Sequence, residues 1–456
     1  MAGNKAMTSP EKIQHLRDSI AAGNRDGLMR EMTQHHPADL AETLLALEPA
    51  EIASFIELLG PRESLEIFEF IPFDVQSLTL KYLGRPSLAK LMNIMSPDDR
   101  ADLIEEVDDD FQERLLSLLL KHERQNVLKL INYPEDTAGA HMTTDYAILR
   151  PDSDVQTALE QVRLQAATKE TIYYIYVVDT ARHLVGLVSL RDLIVARRQS
   201  RVAEIMSKKV ISVRADEDIE DVATLSSRYD FLAVPVVDAE DRMLGIITFD
   251  DLYDIMADEA TEDMYHLANL DTDEKVDSPL LRSVKLRVPW LLGALGSGLV
   301  AAYTVSLFAK TIHEVVALAS LMTIVALLGG NAGNQSLTVV VRALALGEIK
   351  VAHDWRVLMK EAAVGLCNGV IVGLVIGAIA GFWSGNPWLG LIMWLAIVGN
   401  LVIAGLFGAM VPIVLRKLNL DPALGSSIFV TTATDVGGFF IFLGLATLVL
   451  PHLMPK

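Results

Sequence analysis

The sequence predicts a multidomain membrane protein: an all-α superhelical N domain, a repeated α/β module, an acidic linker helix and a five-helix transmembrane domain. Three observations carry this reading. Charge is segregated, since of 39 Lys/Arg and 59 Asp/Glu in 456 residues only eight and six lie from Val288 onward, which leaves that segment at +2 and everything before it at −22. Long charge-free stretches fill the same C-terminal segment, and two internal repeats divide what precedes it. The 51% hydrophobic, 21% charged average therefore describes neither part.

The first repeat is a spacing of prolines at Pro37, Pro49, Pro61, Pro72, Pro86 and Pro97, with acids close behind in Pro37-Ala38-Asp39, Pro49-Ala50-Glu51 and Pro97-Asp98-Asp99. Proline fits the first helical turn, where its missing N–H costs nothing, and nearby acids meet the positive end of the helix dipole. A stack of short helices with buried Leu/Ile faces is expected over residues 10–132. The opening twenty residues lack a basic-then-apolar pattern, so no cleaved leader is expected. The sole cysteine, Cys367, lies in an apolar run, which excludes a disulfide framework and a zinc cluster of the cysteine type.

The second repeat occupies 133–256. Tyr176-Val177-Val178-Asp179 recurs as Pro235-Val236-Val237-Asp238, and Gly186 and Asp192 recur, at one offset of 59, as Gly245 and Asp251. Each copy reads as helix, apolar strand, turn, apolar strand with glycine, then helix, headed by Met142-Thr143 or Met206-Ser207. Residues 142–256 resemble a tandem pair of cystathionine-β-synthase (CBS) domains, a regulatory module that often binds adenine nucleotides. The resemblance implies ATP or another adenine nucleotide as a ligand, with Tyr174 stacking the base and Arg191 and Asp192 at the phosphate and ribose positions.

The second copy runs into an acidic segment in which Asp251, Asp254, Asp258 and Glu262 follow at spacings of 3, 4 and 4, with Glu259 and Asp263 beside them. On a helix this is one line of carboxylates, and each like-charge pair destabilises it by roughly 0.2–0.5 kcal/mol. A cation is the natural partner, whereas the −22 balance repels nucleic acid. We expect an acidic linker helix over 257–287, leading through Leu270 to Arg287 directly into the first span.

The residues from 288 to 456 hold charge-free stretches at Val288–Ala309, Val315–Val341 and Ala362–Leu415, and a fourth, Pro422–Pro451, broken only by Asp435. The third is long enough for two helices and contains the turn Ser384-Gly385-Asn386-Pro387, so five spans are expected in a lipid bilayer. Arg282, Lys285, Arg287, Arg342, Lys350, Arg356, Lys360, Arg416 and Lys417 flank one side, against Lys310 and Lys456 on the other. The positive-inside rule then places the protein in the cytoplasmic (inner) membrane as a multi-pass chain with the N-terminus cytosolic and the C-terminus outside.

Polar residues inside the spans mark the chemistry. An ionised Asp435 costs about 2.5–3.5 kcal/mol at a bilayer centre, so it faces a wet pathway or an ion-pair partner. In Gly329-Gly330-Asn331-Ala332-Gly333-Asn334-Gln335-Ser336 the glycines let the helix either break or pack closely, with amides that suit a hydrated divalent cation or that join helices. Asn400 reads as helix-joining. That glycine–asparagine string, Thr434-Asp435-Val436-Gly437-Gly438, Gly408-Ala409-Met410-Val411-Pro412 and Asp421-Pro422-Ala423-Leu424, behind a helical domain and a CBS pair, resemble the MgtE family of magnesium channels.

The resemblance covers nearly the whole chain. It implies a homodimer with its pore between subunits, hydrated Mg²⁺ held by Asp435 of each subunit beside Asn331, and a plug helix that closes the pore when cytosolic Mg²⁺ is high. The family's sensor positions fall on Glu220, Asp230, Asp251, Asp254, Glu259, Glu262 and Asp263, with Asp98, Asp99 and Asp102 as the matching patch of the helical domain. Passive entry needs no pump, because a divalent ion gains about 4.6 kcal/mol per 100 mV. Enzyme activity is not expected: His313-Glu314-Val315-Val316-Ala317 lacks the second histidine of a zinc protease. A divalent transporter of broader selectivity, admitting Co²⁺ or Mn²⁺, and a membrane sensor without transport are the rival readings.

Overall fold

The computed structural model describes residues 10–276, 278–349, 354–418 and 420–453; Lys350 and Lys456, two of the charges on which the expected orientation of the spans rests, lie outside them. The chain divides into two compact units, Met1–Ile255 and Met256–Lys456.

Among the described residues of the first unit, ten short helices come first, from Pro10–Ala21 to Lys121–Leu130. Pro37, Pro49, Pro61, Pro86 and Pro97 occupy the first or second helical position, as their spacing predicts, whereas Pro72 is the cap before Phe73–Leu80. Through most of the array each helix packs on the next but one, burying Leu40, Leu44, Ile52, Phe55, Ile56, Leu80, Leu88 and Leu91 in a continuous core. Two small sheets of identical topology follow. In one, β1 (Tyr146–Leu149) is parallel to β2 (Thr171–Val178), and β2 is antiparallel to β3 (Leu184–Ser189). In the other, β4 (Val213–Arg214), β5 (Ala233–Val237) and β6 (Met243–Thr248) repeat the pattern.

The heads of the copies are exchanged. Thr143 bridges to Ile246 of the second sheet, and Ser207 bridges to Leu187 of the first. This crossing explains the repeated glycines: a Cβ on Gly245 would lie 2.6 Å from the Thr143 carbonyl, and one on Gly186 would lie 2.5 Å from Met206 Sδ.

One expectation is corrected here. The acidic helix does not occupy 257–287 but spans Phe249–Leu267, so it starts inside the second copy and carries Asp251 and Asp254 on the same helix as Glu259, Glu262 and Asp263. It does not lead directly into the first span: non-helical chain follows, and the next helix begins at Leu280. Asn269 takes a left-handed turn there (φ 56°), its side chain donates to Ser427 Oγ at 2.7 Å, and Arg287 pairs with the buried Glu274 at 2.8 Å.

Among the described residues of the second unit, five helices are long and apolar enough to cross a membrane: Leu280–Ser306, Ala317–Ala345, Asp354–Ser384, Pro387–Lys417 and Ser426–Leu448. The third and fourth touch backbone to backbone, because Gly365, Gly369, Gly373 and Gly377 recur every fourth residue on the buried face of the third. A Cβ on Gly369 would meet Val398 Cα at 2.8 Å, and one on Gly377 would meet the Gly390 carbonyl at 2.7 Å. The first helix packs chiefly on the fifth, and of its residues only Ala301 and Thr304 are buried.

This packing predicts that Gly369→Leu lowers the thermal unfolding midpoint in detergent, at a cost of about 1–3 kcal/mol or more for forcing side-chain volume into a filled contact. Gly296→Leu is the control, since a Cβ there meets nothing within 4 Å. Equal midpoints for the two variants would contradict the packing argument.

Candidate functional site

Asp435 lies on the fifth spanning helix beside the face by which that helix is packed. Val430, Thr434 and Gly438 form the buried face: Val430 and Thr434 stand over Gly333 of the second helix, and Gly438 is against Asn400 of the fourth. Asp435 follows one residue on and is half-buried. It makes no ion pair with any described residue, so the pairing alternative finds no partner within the described chain.

The glycine–asparagine helix runs unbroken from Ala317 to Ala345, so of the two readings of its glycines close packing holds and helix breakage does not. Gly329, Gly333, Ser336 and Leu337 are buried. Asn331, Asn334, Gln335 and Thr338, at spacings of 3, 1 and 3, lie together on the opposite, exposed face. Asn400 is fully buried and donates through Nδ2 to the Val325 carbonyl at 2.9 Å, as expected of a helix-joining amide.

Within the spanning helices sequence reasoning missed one carboxylate. Glu361, at the edge of a charge-free stretch, is 5% exposed and accepts a 2.6 Å hydrogen bond from Ser336 Oγ, the last residue of the glycine–asparagine string. Its other oxygen is 3.2 Å from Lys360 Nζ. The sequence shows an acid beside Lys360 at a span boundary, and its serine partner on another helix becomes visible only in the fold.

In the first unit, Asp98, Asp99 and Asp102 at the start of helix Pro97–Glu105 meet Asp251 at the start of the acidic helix. Glu69, Glu105, Glu170 and Asp250, none of them predicted, join the cluster. Burial, then Asp99, Asp251 and Glu170, hold Asp98 well above the ordinary carboxylate range. Burial first, and neighbouring acids second, push Asp102, Glu69 and Glu170 up to about 7. Asp251 is pushed to about 6 by burial, against the 2.5 Å hydrogen bond it accepts from Thr248 Oγ1. Glu69 and Glu170 keep solvent access on one side while protein crowds them on the others. No Lys or Arg ion pair reaches these acids among the described residues, and Asp98 Oδ1 is buried with no hydrogen-bond partner. A donor set made of carboxylate oxygens, one of them orphaned, fits a hard divalent cation such as Mg²⁺.

The remaining predicted sensors are dispersed. Glu220 and Asp230 stand at opposite ends of helix Ile219–Tyr229, roughly 15 Å apart at 1.5 Å per residue, so they do not share an ion within one chain. Asp254 is exposed one turn beyond Asp251. Glu262 joins His266 and Asp421, which sequence reasoning left out: ligand atoms of all three lie within 4.8 Å of one another, and His266 Nδ1 is 2.6 Å from Asp421 Oδ2. Burial, then Asp421, push the neighbouring Asp263 to about 6. Glu259 lies half-buried on the same helix. At the nucleotide position Tyr174 lies on β2 opposite Ser189; Ser189 caps the following helix, donating to Asp192 Oδ2 at 2.6 Å, and Arg191 is exposed with no ion-pair partner among the described residues. An aromatic face, a free guanidinium and a carboxylate fit a nucleotide.

The shifted acids predict a pH dependence. Carboxylates with pKa values of about 6 to 7 when packed together, and near 4 when apart, bind more protons in the compact arrangement. That arrangement is therefore favoured at low pH and loses stability as pH rises from about 4 through 7. With EDTA present, fluorescence energy transfer between the helical array and the CBS pair should be higher at pH 5.5 than at pH 8. A flat profile would contradict the cluster.

Comparison with known proteins agrees with this layout. Residues 322–445 match the family model described as a divalent cation transporter, 35–136 match the MgtE intracellular N domain, and 138–198 and 202–258 match CBS domains. The chain is 38% identical over 442 residues to the magnesium transporter MgtE of Thermus thermophilus, covering 95% of this chain and 98% of that one. It is 33% identical over 427 residues to the Bacillus subtilis MgtE, covering 93% and 95%. A crystal structure of the soluble part of a magnesium transporter superposes with a TM-score of 0.52 at 34% identity, covering 55% of this chain and 98% of that one. The cytosolic domain of the Mg²⁺ channel MgtE in complex with ATP superposes with 0.51 at 38% identity, covering 53% and 99%. Identity over nearly the full length, across helical array, CBS pair and spanning helices alike, makes this chain a member of the MgtE family of magnesium transporters.

Proposed function

We propose that the chain forms a homodimeric, Mg²⁺-selective channel in the cytoplasmic membrane, with its N-terminal half cytosolic and its C-terminus outside, through which Mg²⁺ enters passively. The observation that carries this reading is the stripe of Asn331, Asn334, Gln335 and Thr338, exposed on an apolar helix that packs against the helix of the unpaired Asp435. Amides and a carboxylate turned toward lipid would be costly, so a second copy of the chain and a water-filled path between the copies are their natural surroundings. Mg²⁺ gives up water reluctantly, and oxygen ligands of this kind hold the hydrated ion without stripping it.

The domains serve this in order: a helical domain over 10–132, a CBS pair over 133–256, a linker whose acidic helix begins at Phe249, and a pore domain that includes the helix from Leu280. Cytosolic Mg²⁺ closes the pore by bridging the acids around Asp98, Asp102, Glu170 and Asp251, together with Glu259, Glu262 and Asp263 of the plug helix. Binding to the compact arrangement in preference to the separated one shifts the population toward closure. Glu220 and Asp230 then serve separate ions or different subunits, and an adenine nucleotide at Tyr174, Arg191 and Asp192 adds a second input. The channel reading is tested in proteoliposomes: Mg²⁺ should enter down its gradient without ATP, and Ca²⁺, Mn²⁺ and Co²⁺ should enter more slowly. No Mg²⁺ entry would leave a membrane sensor, and equal entry of all four ions would leave a broader divalent transporter.

A further inference from the structure

The geometry points to a binding site for a phosphate-bearing small molecule in the cleft where the helical array faces the CBS pair, with Lys129 and Arg182 as its anion-holding side chains. The cleft has a volume of about 1210 Å³, and it reverses the charge of its surroundings: in a chain of net charge −20, six Lys/Arg and four Asp/Glu line it.

Pairing removes part of that excess. Arg100 is bound to Glu123, Lys169 Nζ is 2.9 Å from Asp145, and Arg242 Nε is 2.7 Å from Asp238. Lys129, Arg182 and Arg62 form no ion pair among the described residues, and Glu66 is the one lining carboxylate likewise unpaired. Lys129 comes from the helical array and Arg182 from the turn before β3. The two cations are near enough that burial, then Arg182, lower the Lys129 pKa, with Asp238 opposing. Arg182 is held in place: its Nη2 donates to Tyr146 Oη at 2.6 Å, and Tyr146 Oη donates to the Met243 carbonyl at 3.2 Å. A fixed guanidinium beside an ammonium is an arrangement that repels itself when empty and is relieved by a multiply charged oxyanion, which the guanidinium fork suits better than a halide.

The cleft is larger than a free phosphate needs, and Ile148, Gln165 and Leu244 on its wall offer an organic moiety both apolar and amide contacts. It is separate from the nucleotide position, since Tyr174, Arg191 and Asp192 do not line it. Because its two cations come from the array and from the CBS pair, an occupant ties these together from the cationic side, independently of whether Mg²⁺ acts at the acids.

The test is amine acylation of the full-length protein in detergent with EDTA, read at Lys129 by mass spectrometry with the exposed Lys121 as internal reference. Inorganic phosphate and ribose 5-phosphate are compared with chloride at equal ionic strength. Either phosphate compound should slow acylation of Lys129 several-fold while leaving Lys121 unchanged. Tighter protection by ribose 5-phosphate assigns the rest of the cleft to an organic moiety, and equal protection assigns the site to phosphate alone. Arg182→Gln should raise the half-protecting concentration about tenfold, in keeping with the loss of one charge-assisted contact. Lys129→Gln, which alters a side chain at the open rim of the cleft, should abolish the shift in unfolding temperature that phosphate gives the wild-type protein. Equal acylation in phosphate and chloride, or protection unchanged in Arg182→Gln, would overturn the proposal.

Discussion

Asp435→Ala is expected to reduce Mg²⁺ flux in proteoliposomes by on the order of a hundredfold or more, the kinetic equivalent of losing roughly 3 kcal/mol of attraction for the ion. The side chain is half-buried and has no ion-pair partner among the described residues, so removing it leaves no orphaned cation. Folding should survive, because Val430, Thr434 and Gly438, not Asp435, form the packed face of the helix. Asp435→Asn separates charge from shape and should fail almost as completely. Glu361→Gln provides the contrast: a carboxamide oxygen still accepts from Ser336, so its flux should fall far less. Normal flux through either Asp435 variant, with wild-type unfolding temperature, would remove Asp435 from the pore.

The second large effect concerns gating. Neutralising Asp98, Glu170 and Asp251 together, by Asn or Gln, should flatten the inhibition of current by cytosolic Mg²⁺ in patch recordings. The same variant should lose the protection that low-millimolar Mg²⁺ gives the linker around residues 268–279 against proteolysis. Both follow from one linkage: an ion that binds the compact arrangement better than the separated one favours it, and without ligands there is nothing to favour. KCl at matched ionic strength screens the repulsion without bridging the carboxylates and should protect less than Mg²⁺ does in the wild-type protein. Wild-type Mg²⁺ inhibition in the triple variant would place the sensor elsewhere. Equal cleavage of the wild-type linker in Mg²⁺, KCl and EDTA would mean that these acids are only solvated.

Local signals were read well from the sequence, and signals that depend on distant partners were not. Proline spacing announced the helical array because the first helical turn asks for proline wherever it occurs, and the repeated glycine announced paired sheets because each copy needs the same close approach. Apolar runs of bilayer length announced the spans. The acid cluster was half legible: Asp98, Asp102 and Asp251 stood out within dense acidic runs, whereas Glu69, third in a Glu63, Glu66, Glu69 series, and the isolated Glu170 matter only because folding brings separate stretches of chain to one place. Helix limits behaved similarly. Nothing periodic marks the end of the acidic helix at Leu267, which is followed by a left-handed Asn269 bonded to Ser427, a partner far along the chain. The continuity of the helix through Gly329 and Gly333 was equally hidden, since it depends on what Asn400, Val430 and Thr434 place against those glycines.

The glycine ladder at Gly365, Gly369, Gly373 and Gly377 divides the membrane unit into parts of unequal stiffness. Two helices in backbone contact have no slack, because sliding either by a single residue drives a side chain into the other's main chain. They act as a stator. The helix from Leu280 to Ser306 has only two buried residues and bears mainly on the helix of Asp435, to which it is joined by the 2.6 Å hydrogen bond from Thr432 to Ser297. It is the least embedded of the five, and the linker joins it at its first turn. Under the proposed gating, a displacement of the linker would pass first to this loosely held helix and from it to the helix of Asp435, against a pair kept rigid by its glycines.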